Sequence, residues 1–268
     1  MNNRLFLLTF DLEEFDLPTE YGEKINKDEM YDIGYQGIGK ILEILKKLDI
    51  AATFFTTGNF AKKYPKKILD VYKNGHEIAS HGLSHADNYE IEKNLKSDLS
   101  QGKKILEEII NEKIIGFRAP RLQYPPFKIL KELKFRYDSS IHPTYIPGRY
   151  NNTRTSRNYY KINDILEIPA SVTPLFRLPF SWIWFRNIGL SYAKICTNLC
   201  FFNLSFVTLY FHSWEFVDSK NHNIPFLIEN RTGEWMNKSI EKYLNWCLSK
   251  QIKFITMKDY ISNIKNSK

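Results

Sequence analysis

The sequence predicts an α/β fold in which strands and helices alternate around a parallel sheet or barrel. Three observations support this prediction. Short apolar runs alternate with amphipathic helical patterns along the 268 residues. Hydrophobic residues make up 43% of the chain, which is enough for a sizeable core. Polar residues follow the ends of several predicted strands, which is where barrels and open α/β sheets place their sites.

The predicted strands are short apolar runs that end at polar residues. The first covers residues 4–10, and the last clearly apolar one covers residues 207–211. The other predicted strands cover residues 51–56, 77–79, 114–117, 135–139, 165–168 and 253–256. The polar residues at or just after strand ends are Asp11, His81, Arg118, Asp138 and His212.

The predicted helices show apolar residues at three- and four-residue spacing. They cover residues 37–48, 91–110, 126–133, 240–248 and 257–264. Residues 195–214 carry no formal charge over a length that could span a bilayer. Because this stretch contains many polar residues, we interpret it as the end of a helix followed by a buried strand.

Composition and charge restrict the classes of protein to be considered. The formal net charge of +8 predicts anionic partners, such as phosphate-bearing substrates or an acidic membrane surface. The basic residues are scattered through amphipathic patterns, which argues against nucleic-acid binding. We find no internal repeat, low-complexity run or linker, so residues 1–268 are predicted to form one domain.

The N-terminus and the cysteines favour a reducing compartment. The first apolar segment is too short for a signal peptide and lacks a small-residue cleavage site. The three cysteines cannot all pair, and Cys196 and Cys200 stand at helical spacing, which is typical of small core residues. We therefore expect a cytoplasmic protein with no transmembrane segment.

Two short segments carry the residues of a candidate metal site. Asp11 and Glu13 alternate through Leu12, so on a strand both carboxylates face the same side. His81 and His85 are four residues apart and can present their rings to one point in a helical or tightly turned segment. One carboxylate and two imidazoles form the ligand set of a catalytic zinc-type site, and the other carboxylate is then free to act as a base. This combination indicates a hydrolase.

Five motifs occur in a defined order along the chain. They are Thr9-Phe10-Asp11-Leu12-Glu13, Ser80 to His85, Phe117-Arg118-Ala119-Pro120-Arg121, Tyr137-Asp138-Ser139-Ser140-Ile141 and Leu209 to Glu215. Their order resembles that of the polysaccharide deacetylases, which share the nodulation-factor deacetylase domain, over nearly the whole chain. The resemblance implies a distorted, incomplete (β/α) barrel of about seven strands. It also implies metal-dependent removal of an acetyl group, with N-acetyl preferred over O-acetyl, from a sugar of a cell-surface polysaccharide.

The resemblance assigns a role to each matching residue. Asp11 is expected to be the general base, oriented by Arg118, and His212 the general acid. Asp138 is expected either to orient His212 or to cap its own turn through Ser139 and Ser140. The expected ligands of a divalent metal, with Zn²⁺ as the first expectation, are Glu13, His81 and His85.

Two positions depart from the family pattern. The usual first motif has adjacent aspartates, whereas strand geometry here favours Glu13 as the ligand and directs Glu14 to the opposite face. The usual glycine after the arginine-proline motif is replaced by Arg121-Leu122. This replacement affects the loop that is expected to offer a backbone N–H to the oxyanion.

Residues 174–203 concentrate aromatic side chains with Arg177, Arg186 and Lys194. Sugars stack on aromatic faces, and arginines suit phosphates. This stretch is expected to be either a buried helical cover or a membrane-facing lip for a phosphate-bearing or lipid-linked glycan at the inner face of the membrane. The expected substrate-binding residues are Arg121, Trp182, Trp184 and Trp214.

Two other functions remain open at this stage. An allantoinase-like or other hydrolase of non-peptide C–N bonds would need nearly the same site residues. A non-catalytic carbohydrate-binding relative would not need a base beside a metal, so the residue set argues against it. A retaining glycosidase is disfavoured, because its paired carboxylates need no His-x-x-x-His motif.

Overall fold

Nine strands form one curled sheet in the computed structural model, which describes residues 4–85, 94–218 and 222–266. Along the sheet the order is β10-β1-β2-β3-β4-β5-β9-β8, and β11 also pairs with β1. All neighbours are parallel except β9 and β8. The strands of the sheet are β1 (Leu5–Leu12), β2 (Thr53–Thr56), β3 (Glu77–Ser80), β4 (Gly116–Phe117), β5 (Tyr137–Asp138), β8 (Tyr160–Ile162), β9 (Ile165–Glu167), β10 (Phe206–His212) and β11 (Lys253–Phe254); a separate hairpin pairs β6 (Tyr145–Ile146) with β7 (Tyr150–Asn151).

The sheet is an incomplete barrel, as the sequence predicted. Its two ends are β10 and β8, and among the described residues no strand ladder joins them. Part of the gap beside β10 is filled by Ser171, whose N–H donates to the Thr208 carbonyl at 3.0 Å. The Thr208 N–H in turn donates to the Ser171 hydroxyl at 2.8 Å. The free edge of β10 is therefore partly hydrogen-bonded by the irregular segment that contains Ser171.

One strand of the sheet was missed by the sequence patterns. Strand β8 pairs with β9 through a two-residue connection, Asn163-Asp164, in which both residues have positive φ (49° and 68°). Asn and Asp tolerate this left-handed backbone, and two such residues favour a tight hairpin between twisted strands. The Asn-Asp pair between two β-prone triplets was the available signal.

Helices cover the sheet and begin close to the predicted positions, with two exceptions. The helix predicted over residues 240–248 begins at Glu234. Helix α2 begins at Lys27 because Asn26 accepts a hydrogen bond from the Asp28 N–H, whereas the pattern predicted a start at residue 37. The helices are α1 (Leu17–Glu20), α2 (Lys27–Leu48), α3 (Gly58–Lys63), α4 (Pro65–Lys73), α5 (Leu95–Ile110), α6 (Phe127–Glu132), α7 (Trp182–Ile188), α8 (Leu190–Phe201), α9 (Phe226–Glu229), α10 (Glu234–Ser249) and α11 (Met257–Asn266). The predicted helical residues 91–93 lie outside the described residues.

Two glycines of α2 allow it to lie against the segment that follows β10. A Cβ atom at Gly37 would lie 1.8 Å from the Ser213 carbonyl oxygen, and one at Gly34 would lie 2.9 Å from the Glu13 carbonyl oxygen. Any larger residue would push the helix away from both strand ends. The helix therefore supports the positions of Glu13 and of His212, which precedes Ser213.

The uncharged stretch 195–214 is the end of α8 followed by the buried strand β10, as predicted. Cys196 and Cys200 are buried in α8, and Cys247 is buried in α10; all three are free thiols. Within the described residues, no helix combines the length and the apolar character that crossing a bilayer requires.

Strand register brings the carboxyl ends of the parallel strands together. Asp11 in β1 is the register partner of His212 in β10 and of Phe55 in β2. Ser80 pairs with Phe117 along the same edge. The residues that follow these strands therefore meet at one edge of the sheet.

Candidate active site

The two carboxylates at the end of β1 face one space. Asp11 and Glu13 are each 3% exposed. Asp11 Oδ1 accepts a hydrogen bond from Arg118 Nη1 at 2.8 Å, while Glu13 Oε2 lies 3.0 Å from His81 Nε2 and 3.2 Å from His85 Nε2. The alternation through Leu12 thus gives the two carboxylates different partners on the same side.

The two histidines turn one ring nitrogen each towards Glu13. His81 Nδ1 lies 2.8 Å from the Arg118 carbonyl oxygen, and His85 Nδ1 lies 2.8 Å from Asp16 Oδ1. Because carbonyl and carboxylate oxygens only accept, both Nδ1 atoms carry the proton. A neutral ring then keeps its Nε2 lone pair, and this lone pair points at the Glu13 carboxylate.

Two imidazole lone pairs and a carboxylate at this distance repel one another unless a positive charge lies among them. One donor atom from each of Glu13, His81 and His85 lies within 4.8 Å of the others. Burial raises the pKa of Glu13, but His85 and the other nearby histidines outweigh it and hold that pKa well below its usual range. Burial lowers the pKa of His85, but Glu13 and Asp16 raise it to about 9. Without a metal, a proton on His85 supplies such a positive charge; the set of one carboxylate and two imidazoles also fits a divalent cation of the zinc type.

The rival ligand Glu14 points elsewhere. Its carboxylate accepts hydrogen bonds from the Thr57 hydroxyl at 2.9 Å and from the Tyr31 hydroxyl at 3.1 Å. Glu14 is not one of the three residues whose donor atoms meet. The expectation that it faces away from the ligand cluster agrees with this placement.

Arg118 is fully buried and holds Asp11. Its guanidinium donates to Asp11 Oδ1, to the Thr9 hydroxyl at 2.9 Å and to the Ser139 carbonyl at 2.9 Å. The guanidinium also lies 4.1 Å from the Phe55 ring centroid. A buried charge with this many partners fixes the orientation of the carboxylate that it contacts.

His212 lies opposite the two carboxylates. Its Nε2 is 3.9 Å from Asp11 Oδ2 and 3.9 Å from Glu13 Oε1. Its Nδ1 lies 3.1 Å from Glu215 Oε1, which also accepts from the His212 backbone N–H at 2.7 Å. Burial lowers the pKa of His212, but Glu215 and then the two site carboxylates outweigh it and raise the pKa.

The residue that orients His212 is Glu215, and the interpretation that Asp138 does so is wrong. Asp138 instead accepts hydrogen bonds from the Ser140 N–H at 2.9 Å and the Ser140 hydroxyl at 2.7 Å, which was the alternative prediction. The cause is position: Asp138 ends β5, which three strands separate from β1, whereas Glu215 follows β10 by one turn. Asp138 therefore supports the turn on which Arg118 is anchored.

Sequence reasoning also missed the partner of Glu215. Arg186 Nε donates to Glu215 Oε2 at 2.8 Å, and both side chains are fully buried. The remaining Arg186 nitrogens donate to the carbonyls of Ile228 and Asn230. The three-residue spacing of His212 and Glu215 was a usable signal, but no local pattern indicated Arg186.

The four predicted substrate-binding residues all line one pocket of about 340 Å³ beside this site. The Trp182 ring meets the His212 ring edge-on at 5.1 Å, and Trp214 stacks on the same ring at 5.3 Å. Trp214 itself is only 1% exposed, so it supports His212 more than it offers a free face. Trp184 is 38% exposed, and Arg121 is paired with Asp16 and Glu20.

The loop without the usual glycine keeps a left-handed backbone. Arg121 and Leu122 have φ values of 55° and 51°, a region that glycine favours. The Leu122 N–H donates to the Ala119 carbonyl at 3.1 Å. This N–H is therefore already engaged within the loop.

The fold resembles solved carbohydrate deacetylases and a related hydrolase. A putative polysaccharide deacetylase from Mycobacterium smegmatis superposes with a TM-score of 0.69 at 16% identity, over 100% of this chain and 92% of that one. Puue allantoinase superposes with a TM-score of 0.69 at 18% identity, over 96% of this chain and 89% of that one. These likenesses define the fold as an α/β half-barrel.

Sequence comparison gives the family. Residues 29–137 match the profile described as polysaccharide deacetylase, and residues 139–262 match a domain of unknown function, DUF3473. The peptidoglycan deacetylase of Helicobacter pylori is 25% identical over 148 residues, which is 54% of this chain and 50% of that protein. The family that the motifs predicted is therefore the one whose profile matches residues 29–137. The chain spans no more than about half the length of the first curated relatives that it matches.

Proposed function

We propose that this protein is a metal-dependent hydrolase that removes an acetyl group, preferably N-acetyl, from a sugar of a cell-surface polysaccharide. The observation that carries the proposal is the meeting of Glu13, His81 and His85 beside an Arg118-held Asp11. The polysaccharide deacetylase profile match over residues 29–137 and a peptidoglycan deacetylase among the relatives support the same reaction class.

Glu13, His81 and His85 would hold the metal, with Zn²⁺ as the first expectation. A divalent metal bound there would supply Lewis acidity, lowering the pKa of water towards about 7 and polarising the acetyl carbonyl. The tautomers of both histidines are set by the Arg118 carbonyl and by Asp16, so each ring offers Nε2 without rearrangement.

Asp11 is positioned to accept a proton from the attacking water. Arg118 occupies Oδ1, so Oδ2 is the oxygen directed towards His212 and the pocket. The hydrogen bond from Arg118 fixes the orientation of the carboxylate. General-base catalysis by a positioned carboxylate contributes about 10² to 10⁴ in rate.

His212 is positioned to protonate the leaving amine. Its Nδ1–H donates to Glu215, which leaves Nε2 as the proton-carrying atom facing the site carboxylates. An amine departs poorly unless it is protonated, and the raised pKa of His212 favours the protonated ring. Trp182 and Trp214 limit the ring's movement by packing against it.

Acetate release and metal content test the proposal together. The purified protein is expected to bind about one divalent metal per chain and to release acetate from a panel of N- and O-acetylated glycans. Release of ammonia or urea from ureides in place of acetate would favour the allantoinase-like alternative. Full metal content with no turnover of any substrate would favour a carbohydrate-binding relative.

Substitution of the pocket tryptophans tests the substrate contact. Trp182→Ala combined with Trp184→Ala is expected to raise KM for the glycan because two aromatic faces are removed. Metal content should stay unchanged, since neither ring contacts a ligand of the cluster. An unchanged KM would remove these residues from the binding site.

We also propose that residues 1–268 act as one folding unit in the cytoplasm. Strands from both matched segments enter the same sheet, since β1 pairs with β2 of the first segment and with β10 of the second, which supports a single unit. A single cooperative unfolding transition would agree with one unit, and two separated transitions would contradict it. Fractionation of cells that produce the protein would test the location.

A further inference from the structure

Exposed hydrophobic side chains are concentrated in one part of the chain. Leu175 and Phe176 are 90% and 83% exposed at the tip of a hairpin, which the bridge between Val172 and Pro179 closes. Three nearby helices, α7, α8 and α9, add further exposed apolar residues, and together these form what we call the apolar face. The apolar face consists of Leu175, Phe176, Leu178, Trp184, Ile188, Ile195, Leu199, Phe202, Phe226 and Leu227.

Direct contacts join the elements of the apolar face. The Tyr192 hydroxyl of α8 donates to the Pro179 carbonyl at 2.6 Å, which holds α8 against the hairpin. The Asn187 side chain of α7 donates to the Leu227 carbonyl at 2.7 Å, which holds α7 against α9. Since α7 and α8 are separated only by Gly189, the four elements are neighbours.

The apolar face adjoins the mouth of the active-site pocket. Trp184 of α7 and Leu227 of α9 belong to both, since each is exposed and each also lines the pocket. At the hairpin, the Arg177 carbonyl accepts a hydrogen bond from the Thr144 hydroxyl at 2.7 Å. Thr144 lies two residues after His142, which lines the pocket. A surface that covers the apolar face would therefore lie beside the entrance to the site.

The charge of this region is one-sided. From residue 168 to residue 214 the chain contains no Asp or Glu; Arg186 is buried against Glu215, so the cations of this stretch that reach the surface are Arg177 and Lys194. Residues 139–163 are also without acidic residues and contain four basic ones. On α9 the acidic Glu229 is followed two residues later by Arg231. Exposed apolar groups among cations favour an anionic lipid surface.

We propose that the apolar face binds the surface of an anionic lipid bilayer and brings the pocket mouth to it, so that the substrate is a lipid-anchored acetylated glycan. The substrate part rests on the proposed function, whereas the membrane part does not. A second copy of this chain fits less well, because a symmetric contact would oppose two sets of cations. Leu175 and Phe176 would enter the acyl boundary, and the flanking cations would remain at the headgroups.

Vesicle co-sedimentation tests the membrane part. The wild-type protein is expected to sediment with vesicles that contain phosphatidylglycerol and not with vesicles of phosphatidylcholine alone. Leu175→Glu combined with Phe176→Glu is expected to weaken vesicle binding about tenfold or more, because two inserted side chains become charged. The control, Tyr124→Glu combined with Leu248→Glu, has the same net charge and alters exposed hydrophobic residues outside the face.

A second variant tests whether weaker binding in the first one comes only from a local disturbance of the hairpin. Ile195→Glu combined with Leu199→Glu changes the exposed side of α8 and is also expected to weaken binding, with circular dichroism unchanged. Equal vesicle binding by the wild type and both face variants would overturn the proposal. A wild-type dimer that the hairpin variant converts to a monomer would instead assign the face to a second copy.

Two substrates separate this inference from the proposed function. One is N-acetylglucosamine linked through phosphate to a long isoprenoid chain in vesicles, and the other carries a methyl group in place of that chain. We expect about tenfold higher kcat/KM for the anchored substrate, and loss of only that gain in the hairpin variant. Equal kcat/KM for the two substrates would overturn the proposal that the substrate is lipid-anchored, while the proposed deacetylation would still hold. Vesicle binding without acetate release from either would overturn the deacetylase and leave the membrane face intact.

Discussion

The buried pair of Glu215 and Arg186 allows a sharp test of how His212 is held. Glu215→Gln keeps the shape of the side chain but removes the charge that faces Arg186 and the Nδ1 atom of His212. Because both partners are fully buried, Arg186 is left without a counter-charge. Breaking such a pair costs about 3 to 5 kcal/mol in the free energy of unfolding. Arg186 keeps its hydrogen bonds to the carbonyls of Ile228 and Asn230. We therefore expect the free energy of unfolding, measured with urea, to fall by about 3 kcal/mol.

The double variant separates stability from catalysis. Glu215→Gln leaves the buried Arg186 charge unpaired, and Arg186→Met removes that charge. The combined variant should therefore recover most of the lost stability. Activity should not recover with it, because the amide does not hold His212 as the carboxylate did. We expect kcat to fall about tenfold or more in both Glu215→Gln backgrounds, with metal content unchanged.

The pH dependence of kcat gives an independent readout of the same contact. Glu215 contributes to the raised pKa of His212, so its removal lowers that pKa. A general acid acts in its protonated form, and activity is lost as the pH rises through its pKa. The alkaline limb of the profile should therefore move to lower pH in Glu215→Gln. An unmoved limb, or recovery of kcat in the double variant, would refute the positioning role.

Three further substitutions test the site. His81→Ala should abolish metal binding and activity together while circular dichroism stays native, because an incomplete ligand set binds metal weakly; full metal occupancy by elemental analysis would remove His81 from the ligand set. Asp11→Asn should keep the metal and lose about 10² to 10⁴ in kcat, since an amide cannot accept the proton, and near-normal acetate release would exclude Asp11 as the base. Glu13→Gln should lose metal whereas the matched Glu14→Gln should keep it, and the reverse result in the metal assay would show that Glu14 is the ligand.

Local patterns were sufficient for much of the site. Asp11 and His212 directly end apolar strands, and parallel strands must present their carboxyl ends at one edge, so their proximity followed from the pattern. The alternation through Leu12 correctly separated Glu13 from Glu14 because side chains of an extended chain alternate between two faces. Helix α2 was predicted too short because its first turns carry polar residues whose role is capping and exposure.

The sequence by itself determined the α/β class, the strand ends and the residue types at the carboxyl edge, because periodicity and chemical type are local properties. Only the tertiary structure decided which buried charge pairs with which. Glu215 takes the place expected of Asp138 because the strand order puts β10, and not β5, beside β1. Arg186 reaches Glu215 from α7, 29 residues earlier in the chain. A buried ion pair depends on the relative packing of elements that are distant in sequence, and no spacing rule within one element encodes that packing.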